Sequence, residues 1–251
     1  MNWSSTGHRL RIGGHRGAPD VAPENTFSSF EAAVAAGADY VEMDVQRTAD
    51  GTLIIIHDAT LERTTNGEGP VAQAQLVDLL RLDAGSWFGE RFARQRMPTF
   101  EEFMSWVETR APFGAVIEAK AAGVGAEIAQ AIGRSSAREH LAICSFRPAE
   151  IQAAKEAQPD VPCILLFHLR PPSEDPVALI RSCHADGADV PWQWLDENLC
   201  TRMHQAGLLV GGGTADDEQS VNRLLALNAD FVDSNYPRIA VGARDAGTVA
   251  R

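Results

Sequence analysis

The sequence predicts an α/β protein, a TIM (β/α)8 barrel with a small insertion after its second strand. Three observations lead there. Short apolar segments alternate with amphipathic ones along the chain, eight such repeats fit within 251 residues, and polar residues gather at the ends of the expected strands. An open, doubly wound sheet is the alternative reading of the same alternation.

Residues 9–15 read as the first strand. Residues 25–36 read as a helix, because Phe27, Phe30 and Val34 recur at helical spacing, with Asn25 as the expected N-cap and Gly37 as the stop. Residues 40–46 and 53–57 flank the turn signal Ala49-Asp50-Gly51 and count together as one bent second strand. Residues 58–98 then break the pattern, holding a Gly-rich turn at 64–70, a short helical patch at 75–82 and Gly85-Ser86-Trp87-Phe88-Gly89. The stretch is too long for an ordinary loop and is expected to form an inserted subdomain or lid. The alternation resumes with strands at 114–120, 141–146, 162–167, 188–193, 208–213 and 231–235. Helices are expected at 99–110, 125–133, 148–157, 176–186, 196–206 and 216–229. No second domain is expected within residues 1–251.

Composition narrows the function. Hydrophobic residues make up 45% and charged residues 22%, which excludes disorder of the whole chain. A net charge of −12 is a poor match for nucleic acid or an anionic membrane surface. No apolar run approaches the roughly 18 residues of a membrane-spanning helix, and residues 1–12 do not read as a secretion signal. Cys144, Cys163, Cys183 and Cys200 lack the close pairing of a zinc site and are expected to be reduced and mostly buried, in a cytoplasmic protein.

The chemistry gathers at the expected strand ends. His15-Arg16 closes the first strand, Glu42 and Asp44 lie in the second, His57-Asp58 closes its hairpin, and Glu118 and Lys120 end the third. In a barrel these ends converge on one face. Alternate strand residues share a side, so Glu42 and Asp44 point together, as do Glu118 and Lys120. Three carboxylates in one mouth need positive charge. Either a hard divalent cation sits among them, or they form salt bridges with Arg16, Arg47 and Lys120. His15 and His57 flank the acids and suit general acid–base work. Arg16 and Lys120 suit phosphate contacts, and the set together suggests phosphoryl transfer. His8, His140, His168, His184 and His204 read as structural or surface residues. Gly211-Gly212-Gly213 reads as a close-packed strand end that leaves room for a ligand, and Trp87-Phe88 and Trp192-x-Trp194 read as pocket wall or core.

These residues resemble a known family. His15-Arg16-Gly17, Pro23-Glu24-Asn25-Thr26, Glu42-x-Asp44, His57-Asp58 and Glu118-x-Lys120 are similar to the signature of the glycerophosphodiester phosphodiesterases, of the bacterial cytoplasmic type. So is the insertion, in Thr60-Leu61-x-Arg63-Thr64-Thr65-Asn66-Gly67, Leu82 to Phe88 and Pro98 to Glu102. The resemblance implies hydrolysis of glycerophosphodiesters to sn-glycerol 3-phosphate and an alcohol. It implies a divalent cation, Mg²⁺, Ca²⁺ or Mn²⁺, on Glu42, Asp44 and Glu118. His15 and His57 match the acid–base pair, Arg16 and Lys120 match the phosphate contacts, and Glu24 matches a motif position that orients the site. The C-terminal part departs from the pattern. Gly212 to Asp217 stand where members often carry Trp-Thr-Val-Asn, and Ser234-Asn235-Tyr236-Pro237 stands where Thr-Asp-x-Pro is usual. Competing expectations are a lysophospholipase D-like or unusual sugar-phosphodiester hydrolase on the same barrel, and a non-catalytic binding barrel.

Overall fold

A computed structural model describes Trp3 and residues 9–169 and 175–249. The chain runs β1 (Arg11–His15), α1 (Phe27–Ala35), β2 (Tyr40–Arg47), β3 (Leu53–Ile55), α2 (Leu76–Leu79), α3 (Phe100–Glu108) and β4 (Gly114–Ala119). It continues through α4 (Gly125–Arg134), β5 (Leu141–Ser145), α5 (Pro148–Ala157), β6 (Cys163–Leu166), α6 (Pro176–Ser182) and β7 (Gly187–Asp189). It closes with α7 (Glu197–Gln205), β8 (Leu209–Gly211), α8 (Glu218–Ala226), β9 (Phe231–Ser234) and α9 (Pro237–Val249).

Neighbouring strands follow the order β1-β9-β8-β7-β6-β5-β4-β2, and β1 also pairs with β2, so the parallel sheet closes on itself. The barrel expected from the sequence is therefore the fold, and the open doubly wound sheet is not. The second strand needs correcting. Residues 40–57 are two strands rather than one bent element: β3 runs antiparallel on β2, with Val45 opposite Ile55 and Arg47 opposite Leu53, outside the barrel ring. Its alternation serves two cores. Leu53 and Ile55 join the main core, while Ile54 and Ile56 join Leu61, Val71, Leu79, Ala84 and Met97 in a cluster belonging to the insertion.

The helices start where local chemistry dictates. Thr26 caps α1 and Thr99 caps α3, the latter through a reciprocal box with Glu102. Asp196 and Asp217 cap α7 and α8, and proline opens α5, α6 and α9. The last helix, over 237–249, was not expected from the sequence pattern. The strand expected over 188–193 is shorter: β7 ends at Asp189, and residues 192–194 form a 3₁₀ turn beyond it.

The barrel interior is layered. Trp3, Tyr40, Val116, Ala142, Cys144, Ile164, Leu209 and Phe231 fill its lower part, with the Trp3 ring edge-on to Tyr40 at 5.1 Å and to Phe231 at 5.5 Å. Above that plug the inward positions turn acidic, at Glu42, Asp44, Glu118, Asp189 and Asp233, each less than a tenth exposed. The C-terminal face of the barrel is thus the polar end.

Candidate active site

Strand register brings the expected residues together. His15 stands opposite Glu42 across β1 and β2, and Asp44 stands opposite Glu118 across β2 and β4. Glu42, Asp44 and Glu118 each offer one oxygen, and these lie within 4.8 Å of one another. Arg16 follows β1 at φ 56°, beside Gly17 at φ 96°, in a left-handed turn that only a firmly packed segment holds. This turn aims the Arg16 backbone N–H at Glu42 Oε2, 3.1 Å away, and lets the guanidinium reach Glu24 Oε1 at 3.0 Å and Asp44 Oδ2 at 3.4 Å. Lys120 Nζ lies 3.3 Å from both Asp44 and Glu118. Of the three expected salt-bridge cations, Arg47 takes no part and pairs with Glu127 instead.

Asn25 is not the cap of α1. It sits at φ 57°, leaves capping to Thr26, and donates its amide to Asp44 Oδ2 at 2.7 Å. A buried carboxylate thereby gains a neutral donor beside two cations. Burial pushes Asp44 up, but Lys120 and Arg16 outweigh it and hold the carboxyl below its usual range. Glu42 goes the other way, raised well above the ordinary value by burial and then by the charge of Asp44. Glu118 is pushed up to about 7 by burial and by Asp44, against the pull of Lys120. The acids differ because the two cations lean on Asp44.

Each histidine is oriented through Nδ1. The His15 ring meets Asn235 Oδ1 at 2.7 Å. Asp216 receives the Asn235 backbone N–H at 2.7 Å and its side-chain amide at 2.8 Å, so the amide oxygen must face His15. His15 therefore carries its proton on Nδ1 and a lone pair on Nε2, which lies 4.0 Å from Glu42 Oε2. Burial, then the neighbouring Arg16 charge, pushes its pKa below the ordinary value. His57 meets Asp58 Oδ1 at 2.6 Å. Arg63, from the insertion, clamps Asp58 at 2.7 and 3.0 Å and Glu24 at 2.7 and 2.8 Å. One guanidinium thus ties the residue behind His57 to the residue behind Arg16.

A cavity of about 220 Å³ runs across the barrel mouth from His15, Glu42 and Glu118 to Asp189, Gly213 and Asp233. Phe146 and Phe167 wall it, and His168 lies parallel to Phe146 with ring centres 3.6 Å apart. His168 is therefore a wall residue of the site, not a bystander. None of the expected tryptophans lines the cavity: Trp87 and Trp194 are exposed, while Trp192 packs on the main core, which was one of its two expected places. The triple glycine is close-packed as expected. A Cβ at Gly211 would meet the Phe231 ring at 2.3 Å and one at Gly212 would meet Leu224 at 2.4 Å. His8 lies outside the described residues. Asp189 and Asp233 were not singled out from the sequence, and Asn25, Arg63, Asp216 and Asn235 lay in named stretches without an assigned role in the site. Arg63 had a signal, since it lies in the quoted insertion motif, but its two partners are visible only in three dimensions.

The glycerophosphoryl diester phosphodiesterase family model matches residues 15–239. A glycerophosphodiester phosphodiesterase of Bacillus subtilis is 30% identical over 91% of this chain and 84% of its own length. One from Caldanaerobacter subterraneus is 33% identical over 84% of this chain and 96% of its own. Among solved structures, a phosphodiesterase of Oleispira antarctica in complex with the product sn-glycerol-3-phosphate superimposes with a TM-score of 0.86, at 27% identity, covering 94% of this chain and 97% of that one. A glycerophosphodiester phosphodiesterase from Agrobacterium tumefaciens gives 0.83 at 29% identity, over 93% and 99%. The family match spans most of the chain and begins at His15, the first residue of the site. This chain is a member of the glycerophosphoryl diester phosphodiesterase family, a phosphodiester hydrolase on a (β/α)8 barrel.

Proposed function

We propose that the chain hydrolyses glycerophosphodiesters to sn-glycerol 3-phosphate and an alcohol, with one divalent cation and a pair of histidines. The observation that carries the reading is the convergence of three buried carboxylates, two cations and two Nδ1-anchored imidazoles on one barrel mouth. The donor set fits a hard cation: three carboxylate oxygens within 4.8 Å, with Glu42 and Glu118 raised by burial and then by the charge of Asp44. Mg²⁺, Ca²⁺ and Mn²⁺ all suit it. When bound, the cation supplies positive charge to the phosphoryl oxygens.

Arg16 and Lys120, held by Glu24, Asp44 and Glu118, present fixed positive charge to the phosphate. His15 acts as the base. Burial and the Arg16 charge keep the ring neutral, Asn235 holds its proton on Nδ1, and Nε2 takes the proton of the glycerol 2-hydroxyl or of water. His57 acts as the acid, since a carboxylate at Nδ1 is the better partner for an imidazolium, and its Nε2 protonates the leaving alcohol. Attack by the 2-hydroxyl forms a cyclic phosphate while the P–O bond to the alcohol breaks. Water then opens the ring with the proton transfers reversed. Residues 58–98 act as a subdomain beside the site, coupled to it through Arg63. The four cysteines are free and buried, which suits a reducing cytoplasm.

The experiment is release of glycerol 3-phosphate from glycerophosphocholine and glycerophosphoethanolamine, first in EDTA and then with Mg²⁺, Ca²⁺ or Mn²⁺. Metal-dependent release is expected, and His15→Ala and His57→Ala should each lower kcat by roughly 100-fold or more. No release with any metal from folded protein overturns the reading. Near-normal turnover in either variant removes that histidine from it.

A further inference from the structure

The hydrogen bond that orients His15 is dictated by a second residue. Asn235 Oδ1 meets His15 Nδ1 at 2.7 Å, and Asp216 lies on the far side of the same amide. Asp216 Oδ1 accepts the Asn235 backbone N–H at 2.7 Å and the Ser234 hydroxyl at 3.3 Å. Its Oδ2 accepts the Asn235 side-chain amide at 2.8 Å. The segment carrying Asp216 is pinned to β9. The Gly212 N–H donates to the Phe231 carbonyl at 3.2 Å, and the Ala215 N–H donates to the Asp233 carbonyl at 3.0 Å. Backbone contacts therefore place Asp216, and Asp216 in turn places the amide.

An amide has two unlike ends, whereas a carboxylate only accepts. Asp216 takes the NH₂ end of Asn235 and leaves the oxygen for His15. That oxygen also only accepts, so the ring proton stays on Nδ1 and Nε2 keeps its lone pair. An amide at 216 would reverse this order. Its oxygen would keep the Asn235 backbone N–H, and its NH₂ would face the side chain at 235. Asn235 would then turn its oxygen toward 216 and its NH₂ toward His15, which moves the ring proton to Nε2. A ring so turned has no lone pair for a substrate hydroxyl.

The same two positions are where the chain leaves the family motifs. Thr214, shared with Trp-Thr-Val-Asn, sets Asp216 at the motif's Asn. Pro237, shared with Thr-Asp-x-Pro, sets Asn235 at the motif's Asp. Acid and amide have exchanged places. In either arrangement one side chain donates to the other, and an acceptor oxygen at 235 is left for His15. Two amides turn the NH₂ end to His15, and two acids meet without a donor.

We propose that Asp216 is a positioning residue that sets the His15 tautomer through Asn235, and that the acid–amide exchange between 216 and 235 is one compensated change. The base role of His15 rests on the hydrolase reading above.

The test is a double-mutant cycle on the whole chain with Mg²⁺ present, using Asp216→Asn, Asn235→Asp and the two combined. Turnover of glycerophosphocholine is measured beside the ¹⁵N spectrum of histidine-labelled protein at pH 8. The His15 signals are identified by their loss in His15→Gln. In the wild type the proton should sit on Nδ1, and Asp216→Asn should move it to Nε2. Each single change should lower kcat by at least about tenfold, with little effect on KM. The combined variant should return the proton to Nδ1 and bring kcat to within about threefold of wild type. A proton that stays on Nδ1 in Asp216→Asn overturns the proposal, as does a combined variant no more active than either single one. A proton that moves without a fall in kcat leaves the pairing and removes His15 as the base. If the wild type cleaves no glycerophosphodiester but the proton moves and returns as described, the pairing stands and the hydrolase reading falls.

Discussion

Removing the divalent cation should destabilise the protein far more at alkaline than at acid pH. Glu118 shows why. It is 7% exposed, and burial with the Asp44 charge lifts its carboxyl from 4.5 to about 7. A carboxyl with a folded pKa above its unfolded one favours the fold while protonated. That contribution is complete below about pH 4.5 and is lost as pH rises through about 7. A shift of this size corresponds to about 3 kcal/mol. A cation among Glu42, Asp44 and Glu118 replaces the missing proton, so its benefit grows over the same pH range. For a chain of this length, about 3 kcal/mol moves Tm by roughly 6–12 °C. The assay is thermal unfolding with EDTA and with Mg²⁺, Ca²⁺ or Mn²⁺ at pH 5 and pH 8.5, read as the difference between the two conditions. That difference cancels the separate titration of the buried Asp189 and Asp233. Glu118→Gln should raise Tm in EDTA at pH 8.5 and flatten the response to metal. A metal increment of the same size at both pH values would refute the reasoning.

Two further outcomes test the groups behind the histidines. Arg63→Ala should lower kcat about tenfold and alter the pH profile, since Asp58 and Glu24 both lose their clamp. Its stability cost should stay within about 1 kcal/mol, because the side chain is 44% exposed. Unchanged kcat and profile show that the bridge is structural alone. Asn235→Asp places a carboxylate at His15 Nδ1, 2.7 Å away in the native pair, and should move the acid limb of kcat/KM upward by about one pH unit. An unmoved limb removes His15 from the titration that governs activity.

The strand and helix order was legible in the sequence because each element buries one face and repeats with its own period. Glu42, Asp44, Glu118 and Lys120 were legible as a site because alternate residues of a strand share a side and barrel strands end on one face. The sequence pattern alone treated residues 40–57 as one strand, since apolar content does not say whether β3 continues the barrel or folds back on β2. It assigned Asn25 to a cap because asparagine before a helix is a common local signal. A neighbouring threonine and a carboxylate 19 positions away decided otherwise.

Residues whose meaning is a partner far along the chain came only with the tertiary structure. His15 and Asn235 are 220 positions apart, and the hydrogen bond between them sets the tautomer of the proposed base. Arg63 reaches Glu24 across 39 positions. Asp189 and Asp233 look like ordinary strand residues until barrel closure turns both inward beside glycines that leave them room. Local periodicity specifies which face a residue takes. Closure of the sheet decides what stands across from it, and with that the charge, the proton and the ligand chemistry it carries.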